Sequence, residues 1–198
     1  MPLVNSIQIT TEPLKDLQNI KDAQQDMRVS YLNGTSGVLV SGTVWLISGL
    51  VAMYVSPEKA VWALLIGGTL IHPVSILLNK ILGASGVHTQ GNPLGRLAME
   101  GTIFMIMCMP LAYGLSFQKT QWFFQGMLLI IGGRYLMFAT LYSSRRYWVL
   151  GIGLGVAAYL LFTLNASSQI TVLVGAAIEI IFALVMFTIV RWRKTAIV

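Results

Sequence analysis

Charged residues are scarce in this sequence, and their scarcity excludes an ordinary soluble domain. Only 10% of the 198 residues are charged, whereas a soluble domain normally carries about a quarter. Hydrophobic residues make up 56% of the chain, and the mean hydropathy is +0.74. A chain of this length cannot bury so much apolar surface in a water-surrounded core, because a small domain leaves much of its surface exposed. Lipid must cover the rest.

Cysteine, histidine and enzyme motifs are equally scarce. The single cysteine, Cys108, lies in an apolar segment and cannot form an internal disulfide. His72 and His88 are the only histidines and are too far apart for a convincing zinc site. The sequence has no P-loop, no CxxC pair and no nucleophile elbow. We therefore expect a protein that is not an enzyme and that binds no metal or cofactor.

A polar leader precedes the apolar segments. No small-residue cleavage site follows a short apolar core, so we do not expect a secretory signal peptide. Residues 11–31 have the pattern of an amphipathic interfacial helix, with Thr11 as its N-cap and Glu12 and Pro13 in its first turn. A partly ordered tail is the alternative, because a helix of this length is marginal without a partner.

Long uncharged runs predict an all-α polytopic membrane bundle. Residues 34–57, 60–79, 101–118 and 147–178 carry no charge, and about 20 apolar residues cross the ~30 Å hydrocarbon layer. We predict six transmembrane helices, at 37–55, 57–81, 93–115, 120–143, 147–164 and 168–190. The chain then divides into a leader with the amphipathic helix (1–36), the transmembrane domain (37–192) and a short basic tail (193–198).

Basic residues mark one side of the bundle. Ten of the 13 lysines and arginines fall on the side of the two termini, while only Lys59 and Lys119 fall on the other side, and Arg134 lies within a span. By the positive-inside rule, both termini face the cytoplasm. The net charge of +6 is spread beside apolar segments and forms no separate basic domain, so we expect no nucleic-acid binding.

The first two hairpins share a sequence pattern. Gly42-Thr43-Val44-Trp45 in the first matches Gly101-Thr102-Ile103-Phe104 in the second, and the third hairpin gives a fainter echo. Copies with two spans each would share one orientation. Apolar segments also resemble one another by composition alone, so both repeated two-helix hairpins and chance stay open.

Four ionisable residues within the spans are candidates for function: His72, Glu100, Arg134 and Glu179. A charge at mid-membrane costs about 3 kcal/mol on insertion scales, so such residues usually have a role. Similar depth predicts that Arg134 pairs with Glu179, and Glu100 is the second choice. The pair could fix helix register, or it could open when a proton or substrate competes. Glu100 also follows Arg96 at the spacing of a local ion pair.

A polar stripe surrounds His72 on the second span. It consists of Thr69, His72, Ser75 and Asn79, and Pro73 beside them frees a backbone carbonyl. The stripe could line a proton-responsive or solute pathway, since histidine titrates near neutrality. It could equally be a helix-packing interface joined by hydrogen bonds.

Two further patterns have simple structural explanations. Met105, Cys108 and Met109 offer soft ligands for Cu(I), although methionine at helical spacing is far more often core filler. Gly151 and Gly155 form a small-residue face typical of a close helix contact, which makes it a candidate homo-oligomer interface.

Three segments carry a family resemblance. Leu70-Ile71-His72-Pro73, GNPLGRLAMEG (91–101) and IGGRYLMFATLY (131–142) resemble a family of small bacterial multi-pass membrane proteins of unknown function. The resemblance runs from the leader through the fifth span and implies the bacterial cytoplasmic membrane, but it brings no activity. Tyr135 lies in the matching segments, and Glu179 does not.

Three functions are compatible with these features. The leading hypothesis is a small transporter or channel-like protein for a solute or ion, whose pathway candidates are the four ionisable residues with Thr69, Ser75, Asn79 and Tyr135. The second is a non-transporting membrane protein that binds or regulates a partner, with purely structural charges. An intramembrane enzyme that uses His72 and Glu100 is the third.

Overall fold

The computed structural model describes residues 19–195 and is all-α in that range. A short helix, α1 (Ile20–Ser30), leads through a 3₁₀ turn (Leu32–Gly34) into six long helices. These are α2 (Thr35–Tyr54), α3 (Pro57–Ile81), α4 (Pro93–Ser116), α5 (Thr120–Leu141), α6 (Arg146–Thr163) and α7 (Ser168–Thr195). All six are long and apolar enough to cross a membrane. The predicted all-α membrane bundle with six spans is confirmed.

Local capping sets where the spans begin. Ser56 accepts a hydrogen bond from the backbone nitrogen of Lys59 at 3.2 Å, directly before Pro57 opens α3. Asn92 accepts one from the backbone nitrogen of Leu94 at 2.9 Å, directly before Pro93 opens α4. A side-chain acceptor followed by proline is a strong helix start, because proline fixes φ and has no amide hydrogen that would need a partner.

The part of the predicted interfacial helix that lies within the described residues is helical from Ile20 to Ser30. It begins at Ile20, and the Asn19 side chain accepts hydrogen bonds from the backbone nitrogens of Lys21 and Asp22. The proposed earlier start at Thr11, with Glu12 and Pro13, lies outside the described residues.

Helix α1 is docked against the bundle by hydrogen bonds to the α3–α4 connection. Asp26 accepts from the backbone nitrogen and the hydroxyl of Thr89, both at 2.9 Å, and from the Asn92 amide at 2.7 Å. Burial raises the pKa of Asp26, but these hydrogen bonds outweigh it, so the pKa lies below its usual value. A second link joins the Tyr31 hydroxyl to His88 Nδ1 at 2.8 Å.

The spans pack as two three-helix units, which we call the α2 unit (α2, α3 and α7) and the α5 unit (α4, α5 and α6). The most extensive helix contacts are α2 with α7 and α3, and α5 with α6 and α4. Between the units the contacts are fewer and involve α7 with α5 and α6, and α3 with α5. Each unit is therefore internally tight and joined to the other less extensively.

Close packing inside the α5 unit uses the small-residue face of α6. A side chain at Gly151 would lie 2.6 Å from the Gly132 carbonyl of α5, and one at Gly132 would lie 3.4 Å from the Gly155 nitrogen. Gly151 is therefore used for packing within the chain, whereas a side chain at Gly155 would meet only the Leu129 side chain, at 3.8 Å. The homo-oligomer interface at Gly151 and Gly155 stays a prediction.

The packing does not reproduce the hairpin pattern seen in the sequence. If the hairpins were repeats, α2 and α4, which are the first helices of the two hairpins, would have equivalent neighbours. Instead α2 lies in the middle of its unit, while α4 lies at the edge of its own and α5 is central. The hairpin repeat stays an observation about the sequence.

Candidate functional site

The two central ionisable groups lie where the two units meet. Glu179 on α7 is fully buried, with an exposed fraction of 0%. Its Oε1 accepts a hydrogen bond from the Tyr135 hydroxyl of α5 at 3.1 Å, and its Oε2 is buried with no hydrogen-bond partner among the described residues. Ser41 of α2 is buried beside both side chains. A carboxyl group from one unit is thus held by a phenol from the other.

The tight contact between α2 and α7 explains why Glu179 is so deeply buried. A side chain at Gly42 would lie 3.1 Å from the Cβ of Glu179, and one at Gly175 would lie 3.2 Å from the Trp45 ring. Glycine at these positions lets the two helices approach closely enough to exclude water from the carboxyl group.

Arg134 precedes Tyr135 on α5 and is half-buried. Its Nη2 donates to the Thr102 hydroxyl of α4 at 3.0 Å, and its Nη1 approaches the Met105 sulfur at 3.7 Å. The guanidinium carbon lies 5.4 Å from the centroid of the Phe138 ring. Its Nε is buried and has no hydrogen-bond partner. The neutral partners that the structure describes therefore fill only part of the hydrogen-bonding capacity of the guanidinium.

The predicted direct ion pair is not formed. The side-chain partners of Arg134 are Thr102 and Met105, and the partner of Glu179 is Tyr135. The two side chains nevertheless lie at one level of the bundle, since Tyr135, the residue next to Arg134, contacts Glu179. The depth prediction was right, but helix rotation directs the guanidinium towards α4 and not towards α7.

The polar stripe on α3 is divided in two. Asn79 is buried and accepts from the Ser36 hydroxyl of α2 at 2.5 Å, and Ser75 is buried and donates to the His72 carbonyl at 2.8 Å. Thr69 and His72 are exposed on the helix surface. Asn79 thus joins α3 to α2, Ser75 bonds within α3, and neither of the two exposed residues contacts Arg134 or Glu179.

Glu100 is also exposed, as is Arg96 one turn earlier on α4. The expectation that His72, Glu100, Arg134 and Glu179 converge in the interior is therefore wrong for two of the four. Its physical basis was the cost of a charge facing lipid. Because His72 and Glu100 are exposed on α3 and α4, the free-energy cost of placing them against lipid remains unless another molecule covers these helices.

The structure does not place Met105 of α4 as a copper ligand. The Met105 sulfur faces the Arg134 guanidinium, so a cation there would be repelled. Within residues 19–195, no group of three or more His, Cys, Asp or Glu side chains could hold a metal ion.

Sequence reasoning missed Ser41 and Thr102 as parts of this region. Both are small hydroxyl residues in apolar helices, and Thr102 lies 32 residues from its arginine partner. No local pattern marks such a contact. Thr102 appeared only as part of the hairpin pattern.

Six apolar helices that enclose a buried carboxyl and a half-buried guanidinium define a multi-pass integral membrane protein. The chain belongs to a family of unknown function, DUF7010, whose model matches residues 20–189. The match extends through the sixth span, which the resemblance covered least, and it includes Glu179. No curated protein and no solved structure matches the chain significantly.

Proposed function

We propose that this protein moves a small solute or ion across the bacterial cytoplasmic membrane, with both termini in the cytoplasm and Glu179 as the group whose charge state changes. The observation that carries the proposal is the half-satisfied buried carboxyl: within the part of the chain that the structure describes, one oxygen has a hydrogen-bond partner and the other has none. Buried polar atoms are nearly always hydrogen-bonded in folded proteins. A carboxyl left incomplete in this way is suited to exchange a proton or cation.

The position of Glu179 supports transport over a purely structural role. It lies on the α2 unit and contacts Tyr135 of the α5 unit. Movement of one three-helix unit against the other would change the surroundings of the carboxyl group. Transporters that alternate between two accessible states work in this way, with the site between the moving parts.

Arg134 supplies the second coupling group. A guanidinium stays charged under essentially all conditions, and no carboxylate among the described residues contacts this one directly. Arg134 is next in sequence to Tyr135, which contacts Glu179, so the preferred occupant of the site depends on both groups. Neither group is assigned a catalytic role, and the proposal requires no cofactor.

Flux measurements on reconstituted protein test the proposal. Vesicles that contain the purified chain and internal pyranine are given gradients of Na⁺, K⁺, chloride and a panel of small organic acids, amines and sugars. We expect at least one probe to produce flux above that of protein-free vesicles, and Glu179→Gln to reduce it about tenfold or more. Glu58→Gln, an exposed carboxylate at the start of α3, is the matched control and should leave the flux unchanged. Equal flux from Glu179→Gln and the unmodified protein would contradict the role of Glu179.

A second candidate is the non-transporting protein that binds a partner within the membrane. The observation in its favour is the exposure of α3 and α4. In an apolar 18-residue stretch of each helix, only 17% (α3) and 11% (α4) is buried. His72 and Glu100 lie on the exposed surfaces of these two helices. A folded protein that produces no flux, but forms a specific cross-link through a photoreactive residue at position 100, would favour this candidate.

A further inference from the structure

A pocket lined by three arginines opens at the end of the bundle that carries α1. Arg28 comes from α1, and Arg145 and Arg146 come from the start of α6. Asn33, Ser143 and Ser144 contribute polar groups to the same cavity, whose volume is about 270 Å³. None of the lining residues that the structure describes is acidic. The pocket is separate from the Arg134–Glu179 region and is not used by the proposed transport mechanism.

The positive charge of this pocket is not compensated by its own walls. Arg28 Nε is buried and has no hydrogen-bond partner in the described part of the chain, and Arg146 Nη1 faces the Met186 sulfur at 3.8 Å. Helix α6 has no acidic residue in its first turn, so its amino-terminal end adds a partial positive charge to the same place. An anion placed in the cavity would be attracted by all three guanidinium groups.

Contacts between the walls hold the pocket in shape. The Tyr147 hydroxyl of α6 donates to the Asn33 carbonyl at 2.6 Å, which ties the turn after α1 to α6. The Gln24 amide of α1 donates to the Thr140 carbonyl of α5 at 2.8 Å. These bonds tie α1 and the turn after it to α5 and α6, the segments that bring Arg28, Arg145 and Arg146 to one cavity.

We propose that this pocket binds a phosphate group. Guanidinium forks match phosphate oxygens in pairs, and phosphate presents enough oxygens for three arginines, which a carboxylate does not. A helix amino terminus is a ready site for the same anion, and the hydroxyls of Ser143 and Ser144 offer further donors. At about 30 Å³ for each water molecule, the cavity has room for a phosphate group with several waters.

Two sources supply this chemistry at the membrane surface: the headgroup of an anionic lipid, and free phosphate or a small phosphorylated solute. The test uses the full chain, delipidated in a neutral maltoside detergent. Its unfolding temperature is followed by tryptophan fluorescence during titration with sodium phosphate, at constant ionic strength set with sodium chloride. A parallel titration uses dioctanoyl phosphatidic acid, with dioctanoylglycerol as the control that lacks phosphate.

The double variant Arg145→Gln, Arg146→Gln is compared with Lys80→Gln, Arg96→Gln. The second pair removes the same charge from exposed side chains at the same end of the bundle but outside the pocket. We expect the pocket variant to bind the probe at least tenfold more weakly and the control pair to bind it within about twofold of the unmodified chain. If the pocket pair does not purify as folded protein, Arg28→Gln is measured instead, with at least a threefold loss expected.

Stabilisation by inorganic phosphate that competes with the lipid identifies a free phosphate ligand, and stabilisation by phosphatidic acid alone identifies a lipid headgroup. Either result supports a phosphate site. The proposal is overturned if neither probe stabilises the protein more than its control compound does. It is also overturned if the pocket pair and the control pair weaken binding equally, because the effect would then come from general surface charge.

Discussion

The Tyr135 hydroxyl and the Glu179 carboxylate, 3.1 Å apart, join the two three-helix units of this protein in their buried interface. The bond leaves the second carboxylate oxygen without a partner. It also places Arg134, the neighbour of Tyr135 in sequence, at the depth of Glu179 without direct contact. This one relationship explains how the Arg134 and Glu179 side chains lie at one level of the bundle and yet do not touch.

Loss of the Tyr135 hydroxyl should destabilise the fold. Tyr135→Phe leaves both oxygens of a buried carboxylate without a described donor, so we expect a loss of about 1–3 kcal/mol in the free energy of unfolding. The change should cost much less in a Glu179→Leu background, where no carboxylate needs the donor. Tyr159→Phe on α6 is the matched control, because that side chain is 68% exposed. Thermal and denaturant unfolding in detergent of the unmodified chain, the two single variants, the double variant and the control would measure the coupling, and equal losses in both backgrounds would exclude it.

Thr102 should matter because of Arg134 and not because of its own helix. Its hydroxyl donates to the Ala98 carbonyl at 2.9 Å and accepts from Arg134. Thr43 on α2 makes the same bond to the carbonyl four residues earlier, also at 2.9 Å, and is exposed. We therefore expect Thr102→Val to be costlier than Thr43→Val by about 0.5–2 kcal/mol, and this difference should disappear in an Arg134→Met background. A difference that persists without the arginine would show that packing alone is responsible.

Removing Arg134 should cost less than breaking a dry ion pair. Breaking a buried pair typically costs about 3–5 kcal/mol, but the described partners of this guanidinium are a hydroxyl and a thioether. Arg134→Met should therefore purify as folded protein, with a loss below that range and with impaired flux. Adding Glu179→Gln to Arg134→Met should recover only a small part of any loss in the free energy of unfolding. Near-complete recovery in the double variant would instead indicate that the two charges pair directly.

Gly34 should tolerate no side chain, while Gly37 should. Gly34 has φ +75°, and a Cβ there would lie 2.5 Å from the Tyr142 ring. We expect Gly34→Ala to destabilise the protein by about 1–3 kcal/mol through backbone strain, with crowding in addition. A Cβ at Gly37 meets nothing within 4 Å, so Gly37→Ala should be neutral or stabilising by up to about 1 kcal/mol. Unfolding temperatures decide, and an equal effect at the two sites would contradict the prediction.

The docking of α1 should weaken in acid. Because the folded-state pKa of Asp26 lies below the ordinary value of 3.8, its contribution is present above that pH and is lost as the pH falls through the folded value. Asp26→Asn should therefore lower the unfolding temperature at pH 7, and the difference from the unmodified protein should shrink as the pH falls towards 3. Asp22→Asn, at an exposed position in the first turn of the same helix, is the control. A difference that is constant between pH 7 and 3 would contradict this account.

Much of this architecture is determined locally, and the sequence predicts it well. Uncharged runs, Ser56-Pro57 and Asn92-Pro93 mark the starts and lengths of the spans, because lipid solvation and capping act on residues close together in the chain. The depth of Arg134 and Glu179 also follows from counting residues along each helix. Sequence alone therefore yields the number of spans, their bounds and the level of each buried charge.

Only the tertiary structure decided which way these side chains point. Lipid imposes little directional preference on an apolar helix, since every face is hydrophobic and amphipathicity does not mark the inner one. Rotation about each axis is set instead by close contacts such as Gly42 with α7 and Gly132 with Gly151. Those contacts direct Arg134 to Thr102 and Glu179 to Tyr135, and they leave His72 and Glu100 outside. They join residues distant in the chain, so no spacing in the sequence could specify them.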